Sequence, residues 1–160
     1  MSFSSNKIGF SLPRRVSLGL IIFFSLVLIA LDRLSKWFVL DHPNLYESDL
    51  IKLELFKNPK LYFWAVNSVF LYIIMGAVSL LLIFLLIKTW HKQNFLLTTG
   101  LSLIILGGLS NLFDRIIFGY VIDWIRVFFL PISIFNIADI MIMGGLVCIL
   151  IKFLKLKQFT

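Results

Sequence analysis

Residues 95–124 have the sequence FLLTTGLSLIILGGLSNLFDRIIFGYVIDW, an apolar run that ends in a group of charged residues. No charge occurs from 95 to 113, a length sufficient for a helix to cross a membrane core, which takes about 20 residues. Asp114, Arg115 and Asp123 then follow. Ionisable groups at the mouth of an apolar segment are costly, so this stretch predicts a membrane helix that leads into a functional site.

Apolar segments of this kind occur four times in the chain. We predict membrane-spanning helices at residues 16–34, 69–87, 95–113 and 134–151. The composition, with 60% hydrophobic and 14% charged residues and a mean hydropathy of +1.00, excludes an ordinary soluble globular domain. Because no internal repeat or low-complexity linker divides the chain, we expect residues 1–160 to form one integral membrane domain.

The charged residues are segregated along the chain. All eight acidic residues fall within residues 32–60 and 114–139, whereas the remaining segments carry eight basic residues and no acid. The positive-inside rule places both termini and the basic turn at 88–94 in the cytoplasm and both acidic stretches outside. This topology also accounts for the net charge of +7, so we expect no nucleic-acid partner.

The two outer segments predict a small β element. Residues 51–56 alternate with period two, as in a strand with one buried face, and Asn58 and Pro59 end the pattern. Residues 118–133 also favour extended chain beside it, and the aromatic stretch 61–66 favours a short interfacial helix. The predicted fold is an all-α membrane protein of four transmembrane helices, with a small extracytoplasmic β element and a short interfacial helix.

Polar residues with helical spacing occur in three blocks. Asp32 and Lys36 are one turn apart and can pair at the outer end of the first helix, although a snorkelling surface pair has the same spacing. Asn111 and Asp114 share a helical face, and Arg115 can neutralise a nearby carboxylate. A polar network that merely caps the third helix is the alternative for this second block.

The third block opens the fourth helix. Asn136 and Asp139 are three residues apart, so their side chains point the same way, and an N-terminal cap is the structural alternative. Six polar side chains can nevertheless converge at one depth on the outer side, more than a cap requires. They are Asp32, Asn111, Asp114, Asp123, Asn136 and Asp139.

Two converging aspartates favour acid–base chemistry. Two close carboxylates cannot both ionise cheaply, so one can activate water while the other protonates the leaving amine, as in aspartic proteases. His42 and His91 lie on opposite sides of the predicted membrane, which argues against a Ser-His-Asp set and leaves only a weak signal for zinc. The alternatives are a small proton- or ion-translocating membrane protein and a purely structural membrane anchor.

Taken together, the blocks resemble a known family. DRLSK (residues 32–36), NLFDRIIFGYVIDW (111–124) and FNIAD (135–139) resemble lipoprotein signal peptidase, also called signal peptidase II, over nearly the whole chain. The resemblance implies a multi-pass protein of the bacterial inner membrane. It implies an aspartic endopeptidase that cleaves diacylglyceryl-modified prolipoproteins just before the lipidated cysteine. We expect a monomer without cofactor or metal, whose partners are this substrate and membrane lipid.

The resemblance also assigns residues. It implies that the catalytic pair is Asp123 and Asp139. The positions that bind substrate or support the site are Asp32, Lys36, Asn58, Asn111, Asp114, Arg115, Asn136 and Ala138. The chain departs from the family pattern at Lys60, where a glycine is usual, and at Ser110 before Asn111, and both departures bear on loop geometry and substrate fit.

Overall fold

The computed structural model describes residues 14–59, 68–92, 94–129 and 134–157. Within them the chain forms four helices and three strands. The helices are α1 (Arg14–Asp41), α2 (Ser68–His91), α3 (Phe95–Phe118) and α4 (Ile137–Lys157), and the strands are β1 (Asn44–Glu47), β2 (Ile51–Asn58) and β3 (Val121–Val127). The four predicted helices and the two expected extended segments are therefore present, and β1 is an additional strand.

The first two polar blocks lie inside helices, because α1 and α3 continue beyond the predicted spans, whereas Asn136 of the third block lies just before α4. The third helix does not end at Phe113, as predicted, but at Phe118, and the following Gly119 adopts a left-handed conformation with φ of 79°. The Gly119 N–H donates to the Arg115 carbonyl, which completes the last turn. The interpretation of the second block as a cap of α3 is therefore wrong, since the cap is made one turn later.

The apolar surface indicates that the protein is embedded in a membrane. Three helices in the described part are long and apolar enough to cross one, over Ile73–His91, Phe95–Phe118 and Ile137–Lys155. On α2, Leu80 is 69% exposed and Phe84 is 59% exposed. Such a surface has no partner in water and requires lipid. The α1 helix is not among these three, so a fourth span stays a prediction.

Helices α3 and α4 pack closely because glycines line their contact. A Cβ atom on Gly145 would lie 2.5 Å from the Gly100 carbonyl oxygen, and one on Gly107 would lie 2.5 Å from the Ala138 carbonyl oxygen. Side chains cannot occupy these positions without moving the backbone. Small residues of this kind allow membrane helices to approach closely, and here they bring the polar end of α3 against the start of α4.

The strands form one antiparallel sheet in the order β1-β2-β3. In the β2–β3 pairing, Asn58 lies opposite Val121 and Phe56 lies opposite Asp123. Asn58 and Asp123 are thus diagonal neighbours, and such pairs lie within reach of each other on one face of a sheet. Val121 and Ile122 are buried, with 2% and 1% exposure, so the start of β3 is fixed in the core beside α3.

Two sequence predictions fall on residues outside the described part. The interfacial helix expected at 61–66 and the family departure at Lys60 both lie in the segment 60–67. The interfacial helix and the effect of Lys60 on loop geometry stay predictions, as does the expectation of a single domain over residues 1–160. The small β element is confirmed as a sheet, whereas its position outside the cytoplasm stays a prediction.

Candidate active site

The first group at the site is a cluster of four charged residues, Asp32, Arg33, Lys36 and Asp114. The Lys36 ammonium lies 2.8 Å from Asp114 Oδ2 and 3.2 Å from Asp32 Oδ2. The Arg33 guanidinium reaches both acids as well, at 2.7 Å from Asp114 Oδ1 and 2.8 Å from Asp32 Oδ2. The predicted pairing of Asp32 with Lys36 is confirmed. We call these residues the four-charge cluster.

Three members of the four-charge cluster are buried and the side chain of Arg33 is 30% exposed, so the buried charges have to be matched within the protein. Asp32 and Asp114 are 0% exposed and Lys36 is 1% exposed. The carboxylates also accept hydrogen bonds from uncharged donors: Ser110 Oγ donates to Asp32 at 2.5 Å, and the Ile122 N–H donates to Asp114 at 3.4 Å. A buried ion pair is stable only when its remaining lone pairs are satisfied, and these contacts do so.

The second group consists of Asp123 on β3 and Asp139 in the first turn of α4, which we call the aspartate pair. Asp139 takes part in a reciprocal cap. The Asn136 side-chain oxygen accepts from the Asp139 N–H at 2.9 Å, and Asp139 Oδ2 accepts from the Asn136 N–H at 3.2 Å. This arrangement is a capping box. The capping alternative is therefore correct as local geometry, and it also fixes the direction of the Asp139 carboxylate.

Asn136 connects the two aspartates. Its side chain is fully buried, and its Nδ2 donates to Asp123 Oδ1 at 2.6 Å. The same nitrogen lies 3.1 Å from Asn111 Oδ1 and 3.3 Å from the Ile122 carbonyl oxygen. One residue thus caps α4 through its oxygen and holds the β3 carboxylate through its nitrogen. The relative position of Asp123 and Asp139 is set by this asparagine.

Two further asparagines donate to the carboxylate oxygens of the pair that Asn136 does not contact. Asn111 Nδ2 donates to Asp139 Oδ1 at 2.7 Å, and Asn58 Nδ2 donates to Asp123 Oδ2 at 2.8 Å. Asn111 in turn accepts from the Lys36 ammonium at 2.9 Å. The four-charge cluster and the aspartate pair are therefore joined by one neutral side chain. Amide groups orient the pair, whereas Lys36 reaches it through Asn111.

The environment of Asp123 raises the pKa of its carboxyl group. Burial raises the pKa of Asp123 to about 6, and the Asp139 carboxylate acts in the same direction. Hydrogen bonds from Asn58 and Asn136 and the charge of Lys36 oppose that rise. A carboxyl group that keeps its proton well above the ordinary range can serve as an acid beside an ionised partner.

The remaining predicted residues occupy the same region. The Ala138 N–H donates to Asp32 Oδ1 at 2.8 Å, which ties the first turn of α4 to α1. Arg115 Nη1 lies 3.4 Å from the Asn111 carbonyl oxygen. The ten residues assigned from the sequence thus lie together at one end of the helices, around the start of β3. Their catalytic and binding roles are not decided by this proximity alone.

This geometry coincides with a match to a known family. The family model described as Signal peptidase (SPase) II matches residues 24–155, which include every assigned residue. The chain belongs to the signal peptidase II family. Membership in this family supports the interpretation of the chain as a protease.

Individual relatives agree with the family match. The chain is 32% identical over 142 residues to the lipoprotein signal peptidase of Enterococcus faecalis, with 82% of this chain and 87% of the relative covered. It is 31% identical over 139 residues to that of Streptococcus agalactiae serotype V, with 82% and 89% covered. A solved bacterial membrane enzyme has a similar fold, with a TM-score of 0.72 and 21% identity over 86% of this chain and 94% of that one.

Two residues contribute to the site in ways that sequence reasoning missed. The DRLSK motif assigns no role to Arg33, and the sequence marks Ser110 only as a departure from the family pattern. Both contact Asp32. A count of charges gives the missing signal for Arg33, because the buried acids Asp32 and Asp114 need two cations and Lys36 supplies one. Nothing in the sequence around Ser110 marks its contact.

Proposed function

We propose that this chain is a membrane aspartic endopeptidase that removes the signal peptide from diacylglyceryl-modified prolipoproteins, cutting just before the lipidated cysteine. Asp123 and Asp139 act as the catalytic pair. The proposal is supported by one observation above the others. The buried Asn136 holds both carboxylates, by its side chain and its own cap, so that they share one site. Family membership supplies the class of substrate.

The chemistry requires one proton on the pair. The ionised carboxylate accepts a proton from water as the water oxygen attacks the carbonyl carbon of the scissile peptide bond. The protonated carboxyl donates its proton to the leaving amine nitrogen as the carbon–nitrogen bond breaks. The products are a free carboxyl end and a free amine end, and one proton is again left on the pair. The raised pKa of Asp123 favours its role as holder of that proton in the resting enzyme.

The supporting residues keep this pair in register. Asn58, Asn111 and Asn136 present amide N–H groups to the carboxylate oxygens. Amides fix the orientation of a carboxylate without adding a charge, so the proton is not pinned to one residue by an ion pair. The four-charge cluster fixes α1 against α3 and the start of α4. We therefore assign it to support of the site.

The membrane explains where the site has to lie. A diacylglyceryl group anchors its substrate through buried CH₂ groups, each of which contributes about 0.8 kcal/mol, so the substrate reaches the enzyme within the bilayer. We propose that α1 is a fourth span, that both termini are cytoplasmic and that the pair lies near the extracytoplasmic surface. The segregation of eight basic from eight acidic residues supports this orientation. The protein acts as a monomer, since one chain supplies both aspartates.

Cleavage of a defined substrate tests the reaction. The purified chain in detergent is expected to cut a diacylglyceryl-modified prolipoprotein peptide before its modified cysteine, which mass spectrometry detects as two fragments of predicted mass. The same peptide without the diacylglyceryl group serves as the control and is expected to stay intact or to react much more slowly. If the lipidated peptide remains uncut while the chain is folded, the proposed function is wrong.

Cysteine labelling tests the orientation separately. The native Cys148 is first replaced by serine, and single cysteines are then introduced by Asn44→Cys or Gln93→Cys. A membrane-impermeant maleimide should label position 44 in intact cells. It should label position 93 only after the cells have been permeabilised. Labelling of position 93 alone in intact cells would reverse the assigned topology without affecting the assignment of the aspartate pair.

A further inference from the structure

Arg33 lies beside the site, and the proposed reaction gives it no role beyond the support that the four-charge cluster provides as a whole. Its guanidinium spans two buried acids, with Nη1 on Asp114 and Nη2 on Asp32. Nη2 also lies 3.4 Å from the Ser110 carbonyl oxygen, and the guanidinium carbon lies 5.4 Å from the centre of the Phe113 ring. One planar group thus joins α1 to the polar end of α3. Arg33 uses a separate nitrogen for each carboxylate in one planar group, whereas Lys36 contacts both carboxylates through a single ammonium nitrogen.

The neighbouring Lys36 has no spare hydrogen-bonding capacity. An ammonium group has three donors, and Lys36 Nζ has three oxygen neighbours, on Asp32, Asp114 and Asn111. The contact with Asn111 continues to Asp139, since Asn111 donates to that carboxylate. With Arg33 present, the two acids and the two cations balance. Without it, the buried acids retain one uncompensated negative charge beside Lys36.

We propose that Arg33 is a positioning residue: by holding Asp32 and Asp114, it leaves Lys36 free to stay on Asn111 and so to keep the aspartate pair in register. This inference deepens the proposed function and rests on it for its catalytic consequence. Loss of Arg33 draws the Lys36 ammonium toward the two acids. The contact from Lys36 to Asn111 then weakens, and the aspartate pair loses part of the positive potential that reaches it.

The groups that face these residues define the expected effect. Lys36 faces Asp32 on its own helix and Asp114 and Asn111 on α3. Asp123 faces Asn58 from β2, Asn136 and Asp139 from the start of α4, and the charge of Lys36 from α1. Arg115 is nearby on α3 and contacts the Asn111 carbonyl. Since Lys36 lowers the pKa of Asp123, a displaced Lys36 allows that pKa to rise.

Titration of the carboxyl groups by infrared difference spectroscopy tests this inference on the full-length chain in detergent. The Asp123 signal is the part of the pH-dependent carboxyl band that Asp123→Asn removes in each background. The variants are Arg33→Gln, Arg33→Lys and Lys36→Gln. Lys88→Gln, at the far end of α2, is the matched control for the loss of one positive charge. This titration does not depend on turnover, so it gives a result whether or not the chain cleaves a lipopeptide.

We expect the pKa of Asp123 to rise by on the order of one unit in Arg33→Gln, in the same direction as in Lys36→Gln. Arg33→Lys should cause a smaller rise, because it keeps the charge and loses the bridge, and Lys88→Gln should cause none. A wild-type titration in Arg33→Gln overturns the inference. If Arg33→Gln does not fold, Arg33→Lys provides the test. A wild-type pKa of Asp123 in Arg33→Lys would then overturn the inference.

Discussion

The four-charge cluster and the aspartate pair contain the same kind of side chain in the same region of the protein, yet their surroundings differ. Asp32 and Asp114 are held by the cations Arg33 and Lys36. Asp123 and Asp139 are held by amide groups of asparagines. A nearby cation favours the ionised form of a carboxylate, whereas amide donors in a buried site hold a carboxylate without supplying a full positive charge. The difference separates structural acids from candidate catalytic acids.

The comparison also explains why asparagine is the connecting residue. Asn111 accepts from Lys36 and donates to Asp139, so it passes orientation from one group to the other without passing a full charge. A carboxylate at this position would compete for Lys36, and a lysine would pin the proton of the pair. The neutral link keeps the two groups chemically distinct although they are adjacent.

The largest expected effect is on turnover, from changes in the aspartate pair. Asp123→Asn or Asp139→Asn keeps the shape of the side chain but removes its capacity to accept or supply a proton. Loss of general acid–base help costs about 10² to 10⁴ in rate per group, so cleavage of the lipidated peptide should fall at least that far. Initial rates measure the effect, and circular dichroism with size-exclusion chromatography shows whether the variants fold.

The same substitution in the four-charge cluster should act on stability. Asp114→Asn leaves Lys36 and Arg33 with one buried carboxylate in place of two, and breaking a buried ion pair costs about 3–5 kcal/mol. We expect a loss of this order in the free energy of unfolding, measured by titration with sodium dodecyl sulfate in mixed micelles.

A surface ion pair provides the control for Asp114→Asn. Glu47 pairs with Lys52 on the sheet, and its side chain is 66% exposed. Glu47→Gln should change the free energy of unfolding by no more than about 1 kcal/mol. If instead Asp114→Asn abolishes cleavage in a stable protein while Asp139→Asn cleaves nearly as wild type, the catalytic pair has been assigned to the wrong residues and the comparison fails.

The pH dependence of cleavage gives a smaller and more specific test. Because the pKa of Asp123 is raised to about 6, it keeps its proton below that pH and loses it above. Loss of the proton leaves two carboxylates and no acid, so kcat/KM should fall above about pH 6. At low pH both groups are protonated and the base is lost, so the profile is bell-shaped and belongs to the pair.

A change at Asn58 should move the alkaline limb of that profile. The hydrogen bond from Asn58 lowers the pKa of Asp123, so Asn58→Ala should raise this pKa and shift the limb to higher pH. Asn44→Ala, on the exposed strand β1, is the control and should leave the profile in place. A shift of the limb to lower pH in Asn58→Ala would contradict the assignment of Asp123 as the proton holder.

Much of this site was predictable because spacing along a helix fixes direction. Asp32 and Lys36 are one turn apart and do pair, and the three-residue spacing of Asn136 and Asp139 does place both groups at the start of α4. The alternation in residues 51–56 likewise predicted β2. These contacts depend on local geometry, which follows from the spacing of residues along a helix or strand.

Contacts between elements were less predictable. The reach of Arg33 to Asp114 depends on how closely α1 approaches α3, and no local spacing sets that distance. Ser110 contacts Asp32 for the same reason. The four-residue strand β1 is short and mostly exposed, so it lacks the alternation that marks a buried face. The contacts that the sequence did not predict therefore depend on how separate helices and strands pack together.

Removal of metal ions should have the smallest effect, because we expect no change in the rate of cleavage. If the amide-held pair acts by acid–base chemistry, a chelator such as EDTA should leave the rate of lipopeptide cleavage unchanged at every pH of the profile. A non-cleavable peptide mimic that places a hydroxyl group between Asp123 and Asp139 should inhibit, because the hydroxyl occupies the position of the attacking water. Loss of activity in chelator that a divalent ion restores would show that the carboxylates hold a metal. The distinction between cation-paired and amide-held acids would then no longer explain the reaction.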